Sequence, residues 1–200
     1  MLIIANLILG LVGALFFLFV LWKKLKEDYS SDKIFSLGLY CLSFSSLVYI
    51  VSLKFFSGWW FWSIMGGALV GLSLGIIRNR LRASEALEAF TIASLFPAAA
   101  VFLASFTHTR DKTAIGLFFV ILMLIVFYFV VDKHYKKFGW YKSGRVGFSG
   151  LSTAGVFFLI RSAVSLSGST VISFVGQADL YISAIAAFIC FLALFNRSRA

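Results

Sequence analysis

Ala114-Ile-Gly-Leu-Phe-Phe-Val-Ile-Leu-Met-Leu-Ile-Val-Phe-Tyr-Phe-Val-Val131 is an unbroken apolar run of eighteen residues, closed by Lys112 before it and by Asp132 and Lys133 after it. A bilayer core of about 30 Å takes roughly 20 helical residues to cross. The run lacks the period-two alternation of a barrel strand, so a hydrogen-bonded helix is the form in which its backbone survives in hydrocarbon. Working outward, six further runs of comparable length are separated by charged clusters. The predicted spans are about 2–22, 34–53, 59–77, 86–106, 114–131, 146–167 and 180–195. The whole chain has the composition this requires, with 61% hydrophobic and only 13% charged residues and a mean hydropathy of +0.98. The expected fold is an all-α seven-transmembrane-helix bundle forming one domain over residues 1–200. The longest connection, 132–145, has 14 residues, too few for a soluble domain.

Lys and Arg fall unevenly. The first, third and fifth connections and the tail hold fourteen, among them Lys24, Arg82 and Lys133, whereas the other side holds Lys54, Arg110 and Lys112. The positive-inside rule then predicts an N-terminus outside and a C-terminus in the cytoplasm. The net charge of +10 is read as a topology signal facing anionic headgroups, and nucleic acid is not expected as a partner. The first span lacks a basic leader and a small-residue cleavage site and reads as retained. Cys41 and Cys190 lie inside predicted spans and read as packing residues.

Few side chains offer chemistry. Gly67, Gly71 and Gly75 recur every four residues on the third span, with Gly66 beside them. Such a ridge serves either as a helix-packing wall or as a flat wall against a lipid headgroup. The aromatic cluster Phe55, Phe56, Trp59, Trp60 and Trp62 reads as an interfacial anchor. Arg161 lies within the sixth span, where a guanidinium costs about 2.5 to 3.5 kcal/mol on insertion scales unless it is compensated. At 1.5 Å per residue it sits roughly 22 Å above Val146, so its partner must lie at that depth. Asp179, Gln177, Asp111 and a lipid phosphate are the candidates. Glu88 is expected to pair locally with Arg78, Arg80 or Arg82, which leaves Arg161 as the main intramembrane charge. His108, in Thr107-His108-Thr109-Arg110-Asp111, is placed in a connection; it and His134 read as solvated or, for His108, as a general base. No metal-ligand spacing, nucleophile elbow, phosphate loop or set of paired carboxylates is found, and no cofactor or metal is expected.

Several local patterns resemble the bacterial prolipoprotein diacylglyceryl transferases. Trp62-Ser63-Ile64-Met65-Gly66-Gly67, followed by Arg78 to Arg82, is similar to a family motif in which a histidine precedes paired glycines ahead of an Arg-rich turn. Phe96-Pro97-Ala98 matches an Ala-Pro step, Lys142 to Gly147 and then Arg161 resemble a basic connection leading to an arginine-bearing span, and Gly176-Gln177 resembles a pair before the last span. The chain departs from the pattern at Met65, which stands where the histidine would, and in lacking the Gly-Arg-Ile-Gly-Asn signature of the fourth span. The resemblance implies a multi-pass protein of the bacterial inner membrane, a transferase that moves a diacylglyceryl group from phosphatidylglycerol to the lipobox cysteine of a lipoprotein signal peptide. It also implies Arg161, Arg110 and Gln177 at the lipid phosphate, with His108 filling the place of the missing base. Two other readings stay open: a non-catalytic phospholipid- or partner-binding scaffold, and a small-solute transporter.

Overall fold

The computed structural model describes residues 2–110, 112–134, 148–166 and 177–199. Seven helices within them are long and apolar enough to cross a membrane. They are α1 (Leu2–Leu25), α2 (Ser31–Phe55), α3 (Trp60–Asn79), α4 (Ala83–Thr109), α5 (Lys112–His134), α6 (Phe148–Leu166) and α7 (Gln177–Arg199), with a 3₁₀ turn at Ser57–Trp59. Each helix reaches up to a few residues beyond or short of its expected apolar run, because intrahelical hydrogen bonding does not stop where hydrocarbon stops. His108 consequently lies in the last turn of α4, not in a connection.

Helix α5 shows what solvent the bundle is built for. Ile121, Leu124 and Tyr128 are buried on one stripe, while Met123 and Val126 on the other faces are 73% and 62% exposed. A helix that is apolar all round yet half uncovered fits a hydrocarbon surrounding, and the chain is a multi-pass membrane protein.

The helices pack chiefly as the pairs α2–α3, α6–α7 and α1–α4, with α4 also against α5 and α6. The α2–α3 pair is made by the glycine ridge. A Cβ on Gly67 would lie 2.6 Å from the carbonyl oxygen of Phe44, and one on Gly71 would strike the backbone of Tyr40 and Cys41. Only hydrogen at these positions lets two backbones approach so closely. Gly66 lies one residue round the helix, exposed, with nothing within 4 Å of an added Cβ. In the α1–α4 pair, Gly13 sits on Pro97, whose Cα would be 3.2 Å from its added Cβ, and Phe16 stacks on Phe96 at 5.8 Å.

Turns at one end of the bundle are held by side chains. The Tyr29 hydroxyl, between α1 and α2, donates to Glu85 Oε2 at 2.6 Å and accepts from the Arg82 N–H at 3.1 Å. Burial, and then the bond to Glu85, raise the pKa of Tyr29 above its ordinary value. Arg82 also donates to Glu85 Oε1 at 3.1 Å, but its side chain is 79% exposed and that pair contributes little. Tyr29→Phe is therefore expected to cost about 1 kcal/mol. Unfolding in mixed detergent micelles should show that loss, with faster proteolysis between α1 and α2.

Candidate functional site

Two buried polar clusters stand at opposite ends of the bundle. The first joins α3, α6 and α7. Arg161, 5% exposed on α6, donates from Nη2 to Asp179 Oδ2 at 2.7 Å and from Nε to Asp179 Oδ1 at 3.3 Å. Asp179, in the first turn of α7, is fully buried and also accepts from Trp62 Nε1 at 2.7 Å. Three N–H donors from two other helices thus converge on one carboxylate, and the helix N-terminus adds to the stabilisation of its charge.

Aromatic rings complete the enclosure. The guanidinium carbon lies 3.7 Å from the centroid of Phe61 and 5.6 Å from that of Trp62, and Phe158 stacks on Trp62 at 5.9 Å. A cation over desolvated ring faces gains about 2 kcal/mol. Trp62, read as an interfacial anchor, is also a direct partner of Asp179. Arg161 also borders an apolar crevice of about 30 Å³ between α4, α5 and α6, lined by Phe102, Leu117, Ile121, Phe157 and Ile160 among others.

The other expected site residues are placed as follows. Arg110 is exposed and caps the C-terminus of α4 in the left-handed region, φ 52°, with its N–H donating to Phe106 O. Gln177 is exposed as the first residue of α7. Both share the end of the bundle that holds Arg161. Gly67 and Gly71 are covered by α2, so neither presents a free wall. The His108 side chain, Asp111, the basic stretch 135–147 and Gly176 lie outside the described residues. His134 bonds Val130 O through Nδ1 at 2.9 Å.

The second cluster was not anticipated. Glu88, 7% exposed, does not pair with Arg78, Arg80 or Arg82; Glu85 takes Arg82, and Glu88, nearly one turn further along α4, faces α1, α5 and α6. Its Oε1 accepts from Ser149 Oγ at 2.7 Å and from Tyr128 Oη at 3.1 Å, with Lys24 Nζ at 3.9 Å. Ser149 Oγ also lies 3.3 Å from Asp132 Oδ1, and Lys24 Nζ donates to Asp132 Oδ2 at 2.9 Å. Gly150 allows this meeting, since a Cβ there would come 2.8 Å from Glu88 Cα. Two corrections follow. Arg161 is not the main intramembrane charge, because Asp179 and Glu88 are buried as well, and a pair of carboxylates does come together, bridged by Ser149. Buried polar groups are therefore not confined to the end near Arg161.

These features define a multi-pass α-helical membrane protein with a buried ion pair near one end and a carboxylate cluster near the other. No family model, curated protein or solved structure matches the chain.

Proposed function

We propose that the chain is a phospholipid-binding membrane protein, oriented with its N-terminus outside and its C-terminus in the cytoplasm. The orientation is supported by Lys24, Lys26, Arg78, Arg82 and Lys133 gathering at one end of the bundle. What carries the binding reading is the apolar crevice between α4, α5 and α6 that reaches Arg161. A phosphate makes the same demand on the guanidinium fork that the Asp179 carboxylate makes, so an anionic headgroup competes for Arg161. Transfer of a diacylglyceryl group from phosphatidylglycerol to a lipoprotein cysteine is the narrower form of this proposal, with Arg161, Arg110 and Gln177 at the phosphate and His108 as the base. The bacterial inner membrane belongs to that narrower form.

A second reading is favoured by the full burial of Asp179 under three donors. It makes the ion pair a clasp between α3, α6 and α7, with no lipid role. Competition between phosphatidylglycerol and phosphatidylcholine separates the two, using native mass spectrometry of wild type and Arg161→Gln/Asp179→Asn. The double variant removes both charges together and leaves no lone buried ion. Preference for phosphatidylglycerol is expected to fall by about tenfold in the double variant; an unchanged preference would favour the clasp alone. Labelled phosphatidylglycerol with a lipobox peptide tests the transferase form, which requires product from wild type and none from His108→Ala.

A further inference from the structure

We propose that Asp132, Ser149 and Glu88 form a proton-loading relay that carries a proton from the basic end of the bundle to a carboxylate in its interior. The relay lies at the opposite end from Arg161 and does not rest on the phospholipid reading. Exposure sets its direction. The Asp132 side chain is 31% exposed and that of Lys24 28%, whereas Glu88 retains 8%. The Ser149 hydroxyl stands between the two acids, 3.3 Å from Asp132 Oδ1 and 2.7 Å from Glu88 Oε1.

A hydroxyl both accepts and donates, which is what a relay needs. A proton that hydronium delivers to Asp132 Oδ1, releasing water, passes to Ser149 Oγ as the serine gives its own hydrogen to Glu88 Oε1. One O–H bond breaks at Asp132 and one forms at Ser149, while one breaks at Ser149 and one forms at Glu88. No electrons are exchanged, and rotation of the serine hydroxyl resets the path.

Charge balance favours loading. Among the described residues, the charged and titratable groups facing Glu88 are Lys24 from α1 and Tyr128 and Asp132 from α5. Both acids when ionised face, among these residues, the one ammonium of Lys24, which leaves an excess negative charge in a low-dielectric setting that one proton removes. Glu88 Oε2 is a buried oxygen without a hydrogen-bond partner among the described residues. An orphaned carboxylate oxygen in the interior is costly, and protonation of the group relieves that cost. The polar line also continues inward. Thr153 Oγ1, one turn (about 6 Å) further along α6, is buried and has no partner among the described residues.

Infrared difference spectroscopy on the full chain in phosphatidylcholine vesicles, stepped from alkaline to acidic buffer, tests the relay. Wild type is expected to gain a protonated-carboxyl band that is missing in Glu88→Gln. In Ser149→Ala the band should persist, but its hydrogen–deuterium exchange should slow by about tenfold, the scale of one lost hydrogen-bonded bridge. No band in wild type, a band intact in Glu88→Gln, or unchanged exchange in Ser149→Ala would each overturn the proposal. If Glu88→Gln is not recovered folded, the Ser149→Ala exchange rate decides alone.

Discussion

Asp179→Ala is expected to destabilise the bundle by about 3–5 kcal/mol, because it leaves the Arg161 guanidinium buried without its anion. Among the described residues, no neighbour supplies a second anion. Trp62 contributes only a donor, and the rings of Phe61 and Trp62 solvate a cation far less well than a carboxylate does. Unfolding of the purified protein in mixed micelles should show a large drop, or no folded protein at all. The companion variant Arg161→Met/Asp179→Leu should recover most of it, since replacing both members of a buried pair with apolar side chains of similar size is often close to neutral. If Asp179→Ala matched wild type in stability, the ion pair would not be holding α6 against α7.

The other large effect is expected at Gly71. Gly71→Val should cost about 3 kcal/mol or more, at the top of the usual overpacking range, because the added atoms meet the backbone of Tyr40 and Cys41 and not a side chain that can rotate away. Gly75→Ala should be milder, since the nearest atom there is the Leu37 side-chain Cδ1. Gly66→Ala, with open space around it, should stay within about 0.5 kcal/mol of wild type. Thermal aggregation in detergent, run on the three variants side by side, should return that order. Equal losses at Gly66 and Gly71 would contradict the packing assigned to the ridge.

The seven helices were legible because each must fill a hydrocarbon thickness with apolar residues, and that signal is local. The glycine ridge was legible for the same kind of reason: a four-residue repeat stays on one helix face, and Gly66 lies about 100° round from Gly67. Asp179 could be named among the partners of Arg161 because a buried guanidinium needs an anion at its own depth, which narrows the candidates to residues near the same helix ends. Its third donor could not be read. Trp62 is separated from Asp179 by 117 residues, and a tryptophan near a span end looks the same whether it anchors in headgroups or donates inward. The Glu88 cluster was missed for the same reason on a larger scale, since Lys24, Tyr128 and Ser149 reach it from three other helices. The single local hint was Ser149-Gly150 at the start of α6, a polar residue next to a position without a side chain.

Lipid binding of the proposed kind brings an anionic headgroup to the guanidinium of Arg161. Solid-state NMR on the protein with isotope-labelled arginine in phosphatidylglycerol bilayers measures this directly, as dephasing of guanidinium carbons by lipid phosphorus, with Arg161→Gln/Asp179→Asn subtracted to isolate one residue. A phosphorus-dephased Arg161 signal in wild type is the expected result; an Arg161 signal untouched by phosphorus would contradict it.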